Sequence, residues 1–355
     1  MISIKELVLG SKGVVGLDIG SSLVKLVEIE DSSQGSVLKT YAELPVQQGV
    51  IDNGVAKDSP ALTEHIKTIF KNSKCGAKNI ATALSGHSVI IKKANFAHMN
   101  DAELRELLTD EAENYMPFDD VREINFDFHI IGENELNPNQ MDVIIVAAKK
   151  DVIEDWVAAI NRTGRKVVVV DVDSFALETA YEQNYDFVGE DIVALLNIGA
   201  SITNINIVKG GQSVFTRNFL LGGNAVTEAI QQKLNISFEE AEEIKCKGGN
   251  GGGISKLDLI TYAEPIFSEI ERSIDFFSST FMDPYIKHVL VSGGCARLPG
   301  IVEALANRLN AEVELFNPFK NIICDKKHFS EQYLASIAPI ATLCVGLALR
   351  RVDDK

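Results

Sequence analysis

The sequence is poor in cysteine, and its five cysteines are scattered along 355 residues without a C-x-x-C pair. Disulfide frameworks and structural zinc sites need thiols at characteristic close spacings, so this distribution argues against both. We therefore expect reduced thiols, as in cytoplasmic proteins, at Cys75, Cys246, Cys295, Cys324 and Cys344.

Positive charge is also scarce, since 34 Lys and Arg residues stand against 50 Asp and Glu residues, for a net charge of −16. An acidic surface repels phosphate backbones and anionic lipids, so direct binding to nucleic acid or to a membrane surface is not expected. No apolar run approaches the roughly 20 residues of a transmembrane helix, and Met1–Gly10 lacks a signal-peptide cleavage pattern. This N-terminal stretch forms either a brief amphipathic helix that touches a membrane or partner, or a helix packed on its own domain. We expect a cytoplasmic protein.

Two common nucleotide motifs are missing as well: there is no P-loop, and the Rossmann glycine spacing is absent. What the sequence does contain is an alternation of strand-like and helix-like segments, which favours α/β layers over a sandwich or a bundle. The predicted helices are Ala61–Asn72, Asp101–Tyr115, Asp151–Thr163 and Ser174–Tyr185, and the predicted strands between them are Ile80–Leu84, Ile124–Ile130, Asp142–Ala148 and Lys166–Val170.

An internal echo divides the chain nearly in half. The segment Leu17–Lys25, with letters LDIGSSLVK, aligns without gaps on Leu196–Asn204, with letters LNIGASITN, 179 positions later. Each copy is an apolar strand, an Asp or Asn, a glycine turn with small residues, and a second strand, which predicts two β-hairpins. Such repetition favours a duplication that gives two similar lobes facing each other.

The first hairpin turn has the chemistry of a phosphate site. A turn of glycine and serine exposes backbone N–H groups that can surround phosphate oxygens. Asp18 at the strand end can hold a hydrated magnesium ion, which keeps most of its waters, and Lys25 on the second strand can reach a phosphate. Taken alone, however, the segment is also compatible with a plain hairpin that has a polar turn.

A third glycine-rich segment, Val289–Gly300, reads VLVSGGCARLPG. A buried strand runs into two adjacent glycines and then into a helix after Pro299. Glycines at such a turn let a flat ring or a ribose approach the backbone closely.

These three segments together resemble the phosphate-one, phosphate-two and adenosine motifs of the superfamily of actin, sugar kinases and heat-shock chaperone ATPases. Within it, the chain resembles the PilM family, actin-like proteins of type IV pilus assembly related to the division protein FtsA. The resemblance covers nearly the whole chain and includes Glu111–Phe118, Arg217–Gly223, Thr227–Ile230, Ala241–Lys245 and Ala341–Arg350.

The resemblance implies a site for ATP or ADP with Mg²⁺. Asp18 would hold the magnesium through water, and Asn197 would do so weakly. The phosphates would contact Gly20, Ser21, Ser22 and Lys25 from one lobe and Gly199, Ala200 and Ser201 from the other. The ribose and adenine would lie near Gly222, Gly223, Glu242, Lys245, Gly293, Gly294 and Arg297, although Glu242 and Lys245 also fit an ordinary helical salt bridge.

Two positions bear on hydrolysis. Asn197 stands where the superfamily usually has Asp, and an amide adds no negative charge, so metal binding and water activation should weaken. Asp173 matches the position of the residue that orients the attacking water, where a carboxylate could act as a general base. It could equally be the N-cap of the following helix. We therefore expect nucleotide binding with slow or no hydrolysis.

The resemblance further implies a two-lobed actin-like ATPase fold, α/β in class, with duplicated ribonuclease-H-like lobes and an inserted subdomain of the FtsA type. The first lobe (1A) would comprise residues 13–84, 166–190 and 336–352, and the insertion (1C) residues 85–165. The second-lobe core (2A) would comprise residues 191–235 and 286–335, and the adenosine-side subdomain (2B) residues 236–285.

For function, the resemblance implies a cytoplasmic scaffold of the type IV pilus machinery. It would dock the cytoplasmic N-terminal peptide of the inner-membrane protein PilN in a groove beside the insertion, and would reach the membrane only through that partner. Self-association and contacts with other pilus assembly and motor proteins are further expectations. The alternatives are a small-molecule kinase or active ATPase on the same fold, and an FtsA-like filament-forming protein.

Overall fold

The computed structural model describes residues 14–86, 89–111, 123–134, 137–186, 191–249, 252–280 and 285–351. The predicted N-terminal helix at Met1–Gly10 lies outside these residues. The chain begins with the predicted hairpin and a third antiparallel strand, and its first helix starts where Asp58 accepts a hydrogen bond from the Ala61 amide. The elements up to this point are β1 (Val15–Ile19), β2 (Leu23–Ser32), β3 (Gly35–Pro45), β4 (Ile51–Asp52), β5 (Val55–Ala56), α1 (Ser59–Ser73) and β6 (Asn79–Leu84).

A small separate sheet follows, with a helix packed against it through a core that includes Phe96, Leu104 and Met141. The helix starts at a capping box, in which the Asn100 and Glu103 side chains satisfy each other's backbone amides. The end predicted for it, Tyr115, lies in the stretch 112–122, outside the described residues. The elements are β7 (Val89–Ala97), α2 (Asp101–Asp110), β8 (Ile124–Glu133) and β9 (Gln140–Lys149), with strand order β7-β9-β8.

The chain then returns to the first lobe, crosses to a second large sheet, and comes back at its end. The returning elements are α3 (Lys150–Asn161), β10 (Lys166–Val172) and α4 (Asp173–Asn184). Helix α3 lies within the range expected for the insertion, residues 85–165, but its Trp156 and Ile160 belong to the buried core of the first sheet. The second lobe comprises β11 (Ile192–Ile198), β12 (Thr203–Lys209), β13 (Gln212–Phe219), α5 (Gly223–Leu234), α6 (Phe238–Cys246), α7 (Lys256–Tyr262), α8 (Glu264–Thr280), β14 (Ile286–Ser292), a 3₁₀ turn (Gly294–Arg297), α9 (Ile301–Leu309) and β15 (Glu312–Leu315). The last elements are β16 (Ile323–Cys324) and α10 (Glu331–Leu349).

The two large sheets have the same strand order, which confirms the duplication predicted from the echo. The first runs β10-β6-β1-β2-β3, with β16 added at its edge, and the second runs β15-β14-β11-β12-β13. In each sheet, the three strands that come first in the chain (β1–β3 and β11–β13) pair antiparallel with one another. The other two strands (β6 and β10, and β14 and β15) add in parallel beside β1 and β11. The register matches residue for residue, because Asp18 pairs with Lys25 in one hairpin and Asn197 pairs with Asn204 in the other.

Helices α4 and α10 lie where the two sheets meet. Both contribute to one buried cluster that includes Ala81 of the first sheet and Leu195 of the second. The helices cross so closely that a Cβ on Gly346 would lie 1.8 Å from the carbonyl oxygen of Ala176. Helix α10 is long and apolar enough to span a membrane by length and composition, more than the sequence led us to expect, but most of that stretch is buried in the fold. The five cysteines are free thiols, as predicted.

Candidate functional site

A cavity of about 400 Å³ opens between the two lobes, within the roughly 300–1,000 Å³ typical of small-molecule sites. It lies at the carboxyl ends of the parallel strands β1, β6, β11 and β14, the edge at which α/β sheets bind ligands. Its walls include the turns after β1 and β11, the start of α4, one face of α6 and the glycine turn after β14.

The two hairpin turns face each other across this cavity. In each, the glycine amide donates to a carbonyl three residues ahead: Gly20 N to Leu23 O at 3.0 Å, and Gly199 N to Ile202 O at 2.9 Å. The turns meet where the hydroxyls of Ser21 and Ser201 are hydrogen-bonded at 2.7 Å. The equivalent glycine turns of the two lobes thus form opposing walls of one cleft.

On the two strands that flank the first turn, the Asp18 carboxylate of β1 forms an ion pair with the Lys25 ammonium of β2. The two side chains are only 13% and 14% exposed. Burial by itself lowers the pKa of Lys25, but the adjacent Asp18 carboxylate outweighs it, so that the pKa lies above its ordinary value. Lys25 is therefore a cation in the cleft, with its charge balanced by Asp18.

Asp173 is the first residue of α4, and the N-cap is Val172, which makes no side-chain capping bond. The Asp173 carboxylate instead accepts a hydrogen bond of 3.0 Å from Asn204 Nδ2 of the opposite lobe. Burial, and secondarily the charge of Asp18, raises the pKa of Asp173 to about 8. The side chain therefore belongs to the cleft rather than to a helix cap.

The second turn is fastened to the start of α5. Gly223 N donates to Gly199 O at 2.9 Å and Asn224 N donates to Ala200 O at 2.8 Å. Gly222 lies so close to this turn that a Cβ would be 2.5 Å from Gly199 O. The requirement for glycine at position 222 is thus a close backbone contact that fixes the second turn.

Glu242 and Lys245 of α6 form an ion pair of 2.7 Å beside this helix start, and Lys245 is only 11% exposed. Thr227 joins them, because its hydroxyl donates to Glu242 Oε2 at 2.5 Å and accepts from Lys245 Nζ at 2.8 Å. Lys245 also donates to Gly223 O at 3.1 Å. The pair is part of a network at the cleft wall, unlike an ordinary exposed helical salt bridge.

The third wall is the turn after β14. Gly293 has φ of +92°, in the region that favours glycine, and a Cβ there would lie 2.3 Å from Ile198 O. Its amide donates to Pro339 O of α10 at 2.7 Å. Gly294 and Arg297 follow in the 3₁₀ turn, and both line the cavity. This turn therefore lines the cavity and is tied to both lobes.

The structure brings together nearly all of the site residues proposed from the sequence. Gly222 supports the second turn from behind, and the others line the cavity: Asp18, Gly20, Ser21, Ser22, Lys25, Asp173, Asn197, Gly199, Ala200, Ser201, Gly223, Glu242, Lys245, Gly293, Gly294 and Arg297.

Several lining residues were not anticipated. Ser85, Trp156, Asn204 and Cys246 also face the cavity, and Thr227 completes the network on its wall. Asn204 had a signal in the sequence, because it occupies the position of Lys25 in the second copy of the echo. Cys246 had one as well, because it lies four residues after Glu242 on the same face of α6. Ser85, Trp156 and Thr227 take their places through tertiary packing that no local pattern encodes.

A divalent cation would have few protein ligands here. No group of three or more His, Cys, Asp or Glu side chains suited to a metal occurs within the described ranges. The oxygen donors of Asp18 and Asn197 lie at equivalent ends of β1 and β11, and Asp18 is already paired with Lys25. This donor set fits a magnesium ion held through its waters rather than by direct coordination.

Comparison with known proteins confirms the family suggested by the motifs. Residues 16–352 match the family model of the type IV pilus assembly protein PilM. Among curated proteins, the chain is 21% identical to cell division protein FtsA of Staphylococcus epidermidis over 86% of this chain and 74% of that protein. It is 20% identical to FtsA of Bacillus subtilis over 86% of this chain and 78% of that protein.

Solved structures agree. A structure of a PilM-PilN type IV pilus biogenesis complex superposes with a TM-score of 0.84 at 27% identity, covering 96% of this chain and 99% of that one. Ethanolamine utilization protein EutJ from Carboxydothermus hydrogenoformans has a TM-score of 0.56 at 17% identity, covering 95% of this chain and 89% of that one. MreB5 of Spiroplasma citri bound to ADP has a TM-score of 0.50 at 13% identity, covering 92% of this chain and 98% of that one. The last two show the fold alone, and they confirm the two-lobed actin-like architecture. Because the family model matches residues 16–352 of its 355 residues, this chain belongs to the PilM family of type IV pilus assembly proteins.

Proposed function

We propose that the cleft binds ATP or ADP with Mg²⁺. The observation that carries this proposal is the pair of equivalent glycine turns, one from each lobe, that close on a single cavity containing the Lys25 ammonium. The phosphates would lie between the turns, and the adenosine would lie toward Gly293, Arg297 and the Glu242–Lys245 pair. The fold relative MreB5 of Spiroplasma citri, solved bound to ADP and bound to AMPPNP, supports this assignment.

The direct test identifies any nucleotide that purifies with the protein by mass, then measures ATP and ADP binding by calorimetry with Mg²⁺ present. Saturable binding with one nucleotide per chain is expected. An absence of saturable affinity for either nucleotide would overturn the proposal.

We propose that hydrolysis is slow. The carboxylate of the first lobe, Asp18, is matched in the second lobe by the neutral amide of Asn197, at the equivalent strand end. One side of the cleft therefore lacks the negative charge that would hold and polarise metal-bound water. The variant Asn197→Asp should raise the magnesium dependence of ATP binding and the turnover rate. Rapid multiple-turnover hydrolysis by the unaltered chain, lost in Asp173→Ala, would contradict the proposal.

We propose further that a PilN-like cytoplasmic N-terminal peptide docks in a groove between the small sheet and α4. The PilM-PilN complex among the solved structures supports this kind of partner. The groove has a volume of about 300 Å³, and it lies beside β8, an outer strand of the small sheet. An extended peptide can add to such an edge by main-chain hydrogen bonds while its side chains enter pockets. The groove is lined by His129, Ile131, Ile144, Phe175, Glu178 and Thr179, among others.

A matched pair of substitutions tests the groove. Thr179 and Thr68 lie on different helices, and each hydroxyl donates to the carbonyl four residues earlier. Thr179→Arg places a long side chain in the groove, whereas Thr68→Arg makes the same change on the exposed face of α1. Binding of a fluorescent PilN-like N-terminal peptide should be lost in the first variant and kept in the second. Equal binding by both variants would place the peptide elsewhere.

In this proposal the protein is a cytoplasmic scaffold, brought to the inner membrane by the peptide of its partner. Self-association and binding to pilus motor proteins stay predictions from the sequence.

A further inference from the structure

Helix α4 begins in the cleft and continues along the groove beside the small sheet. Asp173, its first residue, lines the cleft, whereas Phe175, Glu178 and Thr179 line the groove. An α-helix rises about 1.5 Å per residue, so only about 8 Å of helix axis separates Asp173 from Glu178. The two proposed binding sites are therefore neighbours on one helix.

Both sites also lie across the same boundary between the lobes. The cleft takes one glycine turn from each lobe. The groove is lined by α4 of the first lobe, by Gln212 and Ser213 of β13 in the second lobe, and by the small sheet. Because each site takes walls from both lobes, a change in the relative position of the lobes alters both sites at once.

Two asparagines of β12 join the second lobe to α4 across this boundary. They are two residues apart and therefore share one face of the strand, and Asn204 is 1% and Asn206 0% exposed. Asn204 Nδ2 donates to the Asp173 carboxylate at 3.0 Å, and Asn206 Nδ2 donates to Ser174 O at 2.8 Å. The second lobe thus holds the first turn of α4 by buried side-chain hydrogen bonds.

The Asn206 amide extends this contact to the groove. Its Oδ1 accepts a hydrogen bond of 2.5 Å from Ser213 Oγ, and Ser213 N donates to Glu178 Oε1 at 3.2 Å. Ser213 and Glu178 both line the groove, whereas Asn206 belongs to the lining of neither cavity. Asn206 therefore connects the start of α4, at the cleft, with two residues of the groove.

We propose that Asn206 is a positioning residue that couples the two sites, so that a nucleotide in the cleft and a peptide in the groove strengthen each other's binding. A nucleotide held by both glycine turns fixes the lobes relative to each other, and a peptide held by α4 and β13 fixes the same boundary. The ligand that binds first loses free energy in ordering this boundary, and the second ligand then binds more tightly. The inference rests on the proposed nucleotide and peptide sites and goes beyond them, because neither site by itself requires the link.

The test measures the affinity of a fluorescent PilN-like N-terminal peptide without nucleotide and with a saturating non-hydrolysable ATP analogue and Mg²⁺. In the parent, the analogue should tighten peptide binding by about tenfold, a typical coupling between two sites. Because such coupling is reciprocal, saturating peptide should tighten binding of the analogue by the same factor.

Two variants interrupt the link. Asn206→Ala removes both side-chain bonds and should reduce the coupling to less than about twofold, and Ser213→Ala, which keeps the backbone bond to Glu178, should reduce it to about threefold. Asn321→Ala is the matched control, because Asn321 Nδ2 donates to another α4 carbonyl, Gln183 O, at 3.1 Å in an exposed position. This control should keep the coupling of the parent.

The ratio of the two peptide affinities separates coupling from damage to the groove, because damage weakens the peptide by the same factor with and without the analogue. The inference fails if the parent binds both ligands and the analogue does not tighten peptide binding. It also fails if Asn206→Ala keeps the coupling of the parent, or if Asn321→Ala loses it equally. Should thermal unfolding show that Asn206→Ala is not folded at the assay temperature, Ser213→Ala decides in its place. A parent that binds no analogue, or no peptide, refutes the corresponding proposed function itself.

Discussion

The ion pair between Asp18 and Lys25 allows a stabilising role to be separated from a ligand-binding role. Because both side chains are mostly buried, replacing one partner leaves the other uncompensated, which costs about 3–5 kcal/mol when a buried pair is broken. Their residual exposure of 13% and 14% places the expected loss for Asp18→Asn near the lower end, about 3 kcal/mol. The double variant Asp18→Asn with Lys25→Met removes both charges and should recover stability to within about 1 kcal/mol of the parent.

Nucleotide binding should not recover with stability. A charged hydrogen bond is worth about 1.5–3 kcal/mol, so losing the Lys25 contact with a phosphate predicts binding weaker by roughly ten- to a hundredfold. The double variant should therefore be as stable as the parent and still bind ATP poorly. Denaturant unfolding and calorimetric titration of the three proteins measure the two effects separately.

An exposed pair provides the control. On the same sheet, Lys39 Nζ lies 3.0 Å from Glu30 Oε2, and the two side chains are 44% and 57% exposed. Glu30→Gln should change stability by less than about 1 kcal/mol and should leave nucleotide affinity unaltered. If the stable double variant binds ATP as tightly as the parent, Lys25 contacts no phosphate and the assignment of the first turn is wrong.

Three further predictions concern the frame around the cleft. Gly346→Ala should lower stability by about 3 kcal/mol, because its Cβ would lie 1.8 Å from Ala176 O. A Cβ on Gly76 would meet no atom of the described residues within 4 Å apart from its chain neighbours, so Gly76→Ala should be neutral in thermal unfolding. Burial raises the pKa of Glu178 to about 7 from an ordinary 4.5. Because the folded state holds the Glu178 proton more tightly than the unfolded state, the free energy of unfolding falls as the pH rises from 4.5 to 7, and it stays lowered above pH 7. Glu178→Gln has no proton to lose at this position. It should therefore melt at a higher temperature than the parent at pH 8 but not at pH 4. An equal gain at both pH values would contradict the shift. Trp156, the only tryptophan, lines the cleft, so ATP should change the intrinsic emission of the parent, and an unchanged emission at saturating ATP would argue against binding beside it.

The parts of the fold that the sequence predicted are those encoded by local repetition. The nine-residue echo places Asp18 and Asn197 at equivalent strand ends, and the register of both hairpins confirms it. Glycines at required turns, such as Gly293 with its positive φ, were visible because few other residues tolerate that backbone. Patterns of this kind depend on neighbours in the chain, and a single sequence displays them.

What the sequence could not predict depends on contacts between distant segments. Gly346 looks like an ordinary helical glycine until α4 is packed against it. Ser85 lines the cleft, and Thr227 bonds to Glu242 on its wall, only because the lobes and α6 are folded around the cavity. The N-cap alternative for Asp173 could be decided only when Asn204 of the other lobe was seen to donate to its carboxylate.

The central claim is that the two glycine turns hold a polyphosphate between the lobes. A crystal structure of the protein with a non-hydrolysable ATP analogue and Mg²⁺ tests it most directly. We predict phosphate oxygens in contact with both Gly20–Ser22 and Gly199–Ser201, and the adenine near Gly293 and Arg297. An analogue bound outside this cleft, or a cleft left empty at saturating analogue, would contradict the account.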